Sequence, residues 1–153
     1  MIKAGDLKIG DLVRVSRDCA FPEGTIFAVC DINPLSDLLD KEGVVGLRAI
    51  NNNDDRLWNT CSCNVEGIPV TPEILNKSGF KEVTVGKYYT RSIDNKKTWG
   101  LARYLAVVRE GGDWVVFIKH DGLCDQALLR KIRHVHELQH ILWVLGLDAE
   151  LKI

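Results

Sequence analysis

RKIRHVHELQHILWVLGL, residues 130–147, is the longest helix-like pattern in the chain. Its apolar residues recur every three or four positions, the spacing of one helical face. Inside it, His136-Glu137-Leu138-Gln139-His140 matches the zinc-hydrolase pattern H-E-x-x-H. Residues four apart share a helical face. His136 and His140 could therefore hold one zinc, while Glu137 activates the water bound to it.

Two observations weigh against that reading. A catalytic zinc site needs a third protein ligand. Longer forms of the pattern place a glycine and then a third histidine at positions that are Trp143 and Gly146 here, and downstream only Glu150 remains. A helical wheel gives the second observation. With Val135 at 0°, the face carrying Leu128, Leu138, Leu142 and Leu145 runs from about 280° to about 20°. His136, His140 and Glu137 fall near about 100°, 140° and 200°, on the flank and back, where a solvated or half-buried polar face is expected. Gln139 points toward the apolar side and needs a hydrogen-bond partner there. The run from Ile141 to Leu145 is apolar nearly all round, so Trp143 and Val144 belong either to a buried end or to a partner surface.

Working outward, residues 113–119, 99–110 and 81–93 read as three strands of an antiparallel meander. The turns between them fall at Asp94-Asn95-Lys96-Lys97 and Glu110-Gly111-Gly112-Asp113. Ahead of the meander is a short helix. Thr71 suits its N-cap, Pro72 its first position and Glu73 its positive pole, and Gly79 ends it with Phe80 closing over Ile74 and Leu75. Residues 7–15, 25–32, 43–50 and 56–65 read as four further strands, with a bend at Gly10-Asp11 and turns at Pro22-Glu23-Gly24 and 51–55; residues 33–40 form a loop or one helical turn. Short strands spaced by turns suggest a small barrel or strongly bent sheet over residues 1–68, with the SH3-like barrel as the usual form.

The expected fold class is therefore α+β. A β-rich module spans 1–68. Residues 69–153 add the linking helix, the meander and a C-terminal helix packed on the sheet, sharing one core with the first part.

Composition narrows the function. A chain of 153 residues is one domain or two small ones. It buries about two-thirds of its unfolded surface without needing disulfides. The net charge of −1 and pI near 6.4 exclude a wholly basic nucleic-acid binder. Cys19, Cys30, Cys61, Cys63 and Cys124 are odd in number and irregularly spaced, which fits reduced thiols in a cytoplasm. Cys61 and Cys63 in a strand would share a face, but zinc sites favour pairs spaced C-x₂₋₄-C, so no metal or cofactor is implied. No run approaches the roughly 20 apolar residues of a membrane span.

Charge is nonetheless uneven. Residues 77–103 hold 7 Lys/Arg and 2 Asp/Glu, whereas 1–76 hold 7 and 12. Lys81, Lys87, Arg91, Lys96, Lys97 and Arg103, interleaved with Tyr88, Tyr89 and Trp99, are the parts a nucleic-acid or polyanion surface needs. The same residues are equally the solvated face of an ordinary sheet.

Three stretches together resemble small proteins encoded by gut Bacteroidales and by their phages and prophages: LKIGDLVRV at 7–15, EGIPVTPEILNKSGF at 66–80 and IRHVHELQHILWVLGL at 132–147. The resemblance implies a small β module, a linking helix, more strands and a C-terminal helix with a Val-His-x-Leu-Gln core. It also implies glutamine in place of Glu137 and asparagine in place of His140 in many members, which would make the zinc pattern an accident within a structural helix. It brings no activity with it. The expected function is a non-enzymatic binding or accessory protein of a phage or mobile element, engaging a protein partner or a second copy. The alternatives are a zinc-dependent hydrolase using His136, Glu137 and His140, and a polyanion-binding module using residues 77–103.

Overall fold

Period-two burial organises most of this chain. A computed structural model describes residues 2–16, 22, 24–33, 43–50, 56–93, 102–120 and 126–153. Among them, ten strands form two antiparallel five-stranded sheets, with two α-helices in the second half. The chain divides into two compact units, Met1–Ile68 and Pro69–Ile153.

In the first unit, β1 (Leu12–Val15), β2 (Phe27–Asn33), β3 (Val44–Ala49), β4 (Leu57–Cys61) and β5 (Val65–Gly67) lie in the order β4-β3-β2-β1-β5. Alternate residues Phe27 and Val29, and Val45, Leu47 and Ala49, point inward with Val13 and Val65, and Ile2, Ala4 and Leu7 complete the cluster. A bulge between Val29 and Asp31 shifts the alternation by one, which turns Ile32 toward the core and leaves Asp31 outside. The Gly10-Asp11 bend is real. Gly10 has a φ of 94°, and the Asp11 carboxylate accepts the Lys8 N–H at 2.7 Å while its carbonyl accepts the Val29 N–H at 2.9 Å.

In the second unit, β6 (Lys81–Thr84), β7 (Tyr88–Ser92), β8 (Arg103–Glu110), β9 (Asp113–His120) and β10 (Gln126–Ile132) form an ordered meander, β10-β9-β8-β7-β6. Register assigns the faces, because directly paired residues share a side of an antiparallel sheet. Tyr89, Leu105, Val107, Trp114, Val116 and Ile132 lie on the inner face and are all buried. Tyr89 and Trp114 meet edge to face at 5.7 Å. The Tyr89 hydroxyl donates to Glu82 at 2.6 Å; burial first, and then that carboxylate, push the phenol up to about 12.

Helix α1 (Pro72–Lys77) follows its sequence signals closely. Thr71 Oγ1 accepts the Ile74 N–H, and Gly79, at φ 82°, lets Phe80 N–H reach the Leu75 carbonyl at 3.0 Å, a Schellman ending. Both ends of α1 are tied to the inner face: Trp114 Nε1 donates to the Val70 carbonyl at 3.0 Å, and Arg91 lies over the Phe80 ring. Helix α2 (Val135–Val144) buries Val135, Leu138 and Leu142. It closes on Gly146 by the same device, with Leu147 N–H on the Leu142 carbonyl. The tail then returns: Gln139 donates to the Ala149 carbonyl at 3.4 Å, and Lys152 N–H to Ser78 Oγ at 3.2 Å. Gln139 thus finds the partner its inward position demands.

Four expectations need correction. The helix-like pattern from residue 130 does not begin there: Arg130, Lys131 and Ile132 belong to β10, paired with Val116, Val115 and Trp114, and Leu128 is exposed in that strand instead of lying on a helical face. The edge of β9 supplies ladder partners that outweigh a helical preference with no cap to start it. The strand expected over 81–93 is a hairpin, broken by a turn at 85–87 with Gly86 at φ 66°. The strand expected over 56–65 is two, since a 3₁₀ turn at Ser62–Asn64 sends β4 to β3 and β5 to β1. The first strand starts at Leu12, after the bend. Of the loop or helical turn expected over 33–40, Asn33 belongs to β2 and the rest lies outside the described residues, as do the expected turns at 51–55 and 94–97.

No barrel closes among the described residues. In β3, an added Cβ on Gly46 would stand 2.8 Å from the Asp31 Cβ. Gly46→Ala is expected to destabilise the fold by roughly 1–3 kcal/mol, with Gly5→Ala, where nothing lies within 4 Å, as the control. Thermal or urea unfolding checks this; equal stability of the two variants would contradict the packing described.

Candidate functional site

The HELQH stretch occupies the first turns of α2, immediately after β10. Here Glu137 is the third residue of the helix and turns back on its start. Its Oε2 accepts the Arg133 N–H at 2.7 Å and the His134 N–H at 3.0 Å, the reach-back half of a capping box. Its Oε1 lies 3.5 Å from the Arg130 guanidinium. Both carboxylate oxygens are thereby engaged. Partial burial pushes the carboxyl up, but the two backbone donors, assisted by His136 and Arg130, outweigh it and hold the group below its ordinary value.

His136 is buried, not on a solvated flank as the wheel places it, and its ring stands between two others. His134, at the N-cap, stacks on it at 5.6 Å; His140 meets it edge to face at 5.9 Å. His134 is the neighbour the sequence pattern overlooks, because it precedes the helix and falls outside any i, i+4 count. Among the described residues, no group of three or more His, Cys, Asp or Glu side chains is arranged to hold a metal ion. Cys61 and Cys63 are not two positions of one strand: Cys61 ends β4, and Cys63 lies in the following 3₁₀ turn, its N–H on the Cys61 sulfur at 3.4 Å. Cys19 and Cys124 lie outside the described residues.

The basic residues of 77–103 are sorted by the sheet. Lys81 pairs with Thr90 on the outer face, while Arg91 and Arg103 lie on the inner face with Leu105. Arg91 sits over Phe80, and Arg109, outside the segment, sits over Trp114. Lys87 is in the β6–β7 turn. Lys96, Lys97 and Trp99 lie outside the described residues. Among the described residues, the sheet divides the segment's basic side chains between its two faces.

At the far end of α2, Trp143 and Val144 are 68% and 71% exposed. In comparisons with known proteins, no family model, no curated protein and no solved structure matches the chain. No helix of the described residues is long and apolar enough to cross a membrane.

A carboxyl held low in the folded chain stabilises it above the ordinary value near 4.5, and that contribution is lost as pH falls through the folded value. Glu137→Gln is expected to cost about 1 kcal/mol at neutral pH. The difference from the parent protein should shrink between about pH 5 and pH 3. Parallel stability curves across that range would contradict the assignment.

Proposed function

We propose that this chain is a non-enzymatic binding protein, a cytoplasmic accessory of a phage or mobile element, engaging a protein partner or a second copy through the exposed end of α2. The observation that carries the reading is the contrast between the two ends of that helix. At its start, the carboxylate of the zinc pattern is engaged by backbone N–H groups. At its end, a tryptophan and a valine stand in water on a ten-residue stretch, 138–147, that contains no Lys, Arg, Asp or Glu. Tryptophan on an uncharged surface is the side chain most often found to anchor protein–protein contacts. The first unit fits a binding role as well. Its β1 pairs with both β2 and β5, so the last strand returns to the first, the wrap expected of an SH3-like barrel.

Two measurements test the proposal. Because Trp143 and Val144 are exposed, Trp143→Gln/Val144→Gln should change unfolding stability by less than about 0.5 kcal/mol. A large loss would place them in the fold's own core and remove the surface. Metal analysis of protein purified without an affinity tag should show no stoichiometric zinc. Stoichiometric zinc that disappears in a His136→Ala/His140→Ala variant would replace this reading with the hydrolase.

A further inference from the structure

The outer face of the second sheet collects a set of side chains that the linear sequence scatters. We infer that this face binds single-stranded nucleic acid, with Tyr88, Tyr104 and Phe117 stacking on bases and Lys81, Lys119 and Lys131 holding phosphates. This site is separate from the end of α2 and goes beyond the reading above.

Register places these residues together. Lys81 pairs with Thr90, Thr90 with Ala106, Ala106 with Phe117 and Phe117 with Leu128, which makes one continuous row across all five strands. A second row runs from Tyr88 through Val108 and Val115 to Lys131, and a third from Ser92 through Tyr104 to Lys119. All of these side chains lie on the side opposite Tyr89, Val107 and Val116, hence opposite the face to which α1 is tied. Tyr104 and Phe117 are diagonal neighbours, roughly 7–8 Å apart by sheet geometry, a separation that successive splayed bases can span.

Burial and charge agree with this assignment. The inner-face aromatics Tyr89 and Trp114 are buried, whereas Tyr88, Tyr104 and Phe117 are only half-buried, and Lys81 and Lys131 are exposed. Two residues of this face, Ala106 and Val115, are covered, and the half-buried rings of Tyr88, Tyr104 and Phe117 lie around them. The described acidic residues of this face, Glu110 and Asp113, sit together at the β8–β9 turn, and Asp113 is paired with Arg133 through two nitrogen–oxygen contacts. Glu82 points the other way, toward Tyr89. The open area thus offers cations and π-faces, the two things an unpaired strand presents partners for. A duplex, with its bases already stacked on one another, could use only the lysines.

The test is fluorescence anisotropy of labelled mixed-sequence 12-nucleotide DNA and RNA single strands with the full chain at about 50 mM salt. Saturable binding that weakens with salt is expected. Lys119→Gln/Lys131→Gln should weaken it at least about tenfold and flatten the log–log salt slope by about 1.4. Tyr104→Leu should cost about tenfold with the slope unchanged, and Tyr104→Phe should restore affinity. Lys87→Gln/Arg103→Gln removes the same charge away from this face and should stay within about twofold of the parent. Circular dichroism and unfolding curves confirm that each variant is folded. Absence of binding at low salt overturns the inference. So does equal loss from the two charge pairs, or a Tyr104→Leu variant that binds like the parent while a duplex or an acidic polypeptide competes as well as the single strand.

Discussion

Two hydrogen bonds from consecutive backbone N–H groups to one carboxylate hold the junction on which the second unit depends. At residues 133–137 a strand must stop and a helix must start. The N–H groups of Arg133 and His134 belong to neither ladder, and left unsatisfied they would cost more than a single net hydrogen bond returns. Glu137 accepts both. Much else is anchored at the same place. The Arg133 carbonyl accepts the Val70 N–H, which brings in the segment leading to α1, and the Arg133 side chain ties back to Asp113 at the start of β9. With the direction of α2 fixed there, Val135, Leu138 and Leu142 reach the core. The glutamate of the zinc pattern thereby serves the start of the helix.

The parts legible in the sequence are those set by local chemistry. Helix α1 is readable in full because Thr71, Pro72, Gly79 and Phe80 each act within a few residues of themselves. The Gly10-Asp11 bend and the glycine turn at 111–112 are readable for the same reason. The start of α2 is not, because Arg130–Ile132 could continue a helix by propensity and are strand only because β9 offers an edge, a partner far away along the chain. Gly86 signals the β6–β7 turn, but the β-branched run Val83-Thr84-Val85 before it and Tyr88-Tyr89 after it read as one continuous strand. The 3₁₀ turn at Ser62–Asn64 had no such signal, since Cys61-Ser62-Cys63-Asn64 is compatible with strand.

Surface chemistry is less legible, because it depends on pairing across the sheet. Counting lysines and arginines along residues 77–103 adds together side chains that a sheet sends to opposite faces. Arg91 and Arg103 accompany Leu105 inward, and Lys81 joins Lys119 and Lys131 outward, two of the three lying beyond the segment. Only the pairing register, including the bulges in β6 and β10, decides which charges share a surface. The same register separates the aromatic residues into a buried pair, Tyr89 and Trp114, and a half-buried set facing out.

The most direct test of the central claim follows the Arg133 and His134 amides by nuclear magnetic resonance as pH is lowered. If Glu137 is the cap that joins β10 to α2, both amide resonances are protected from exchange at neutral pH. They then shift together with the Glu137 side-chain carboxyl, at a midpoint below 4.5. Amides that exchange freely, or that ignore a Glu137 carboxyl titrating at its ordinary value, would show that the carboxylate is free for other chemistry and that the junction is held by something else.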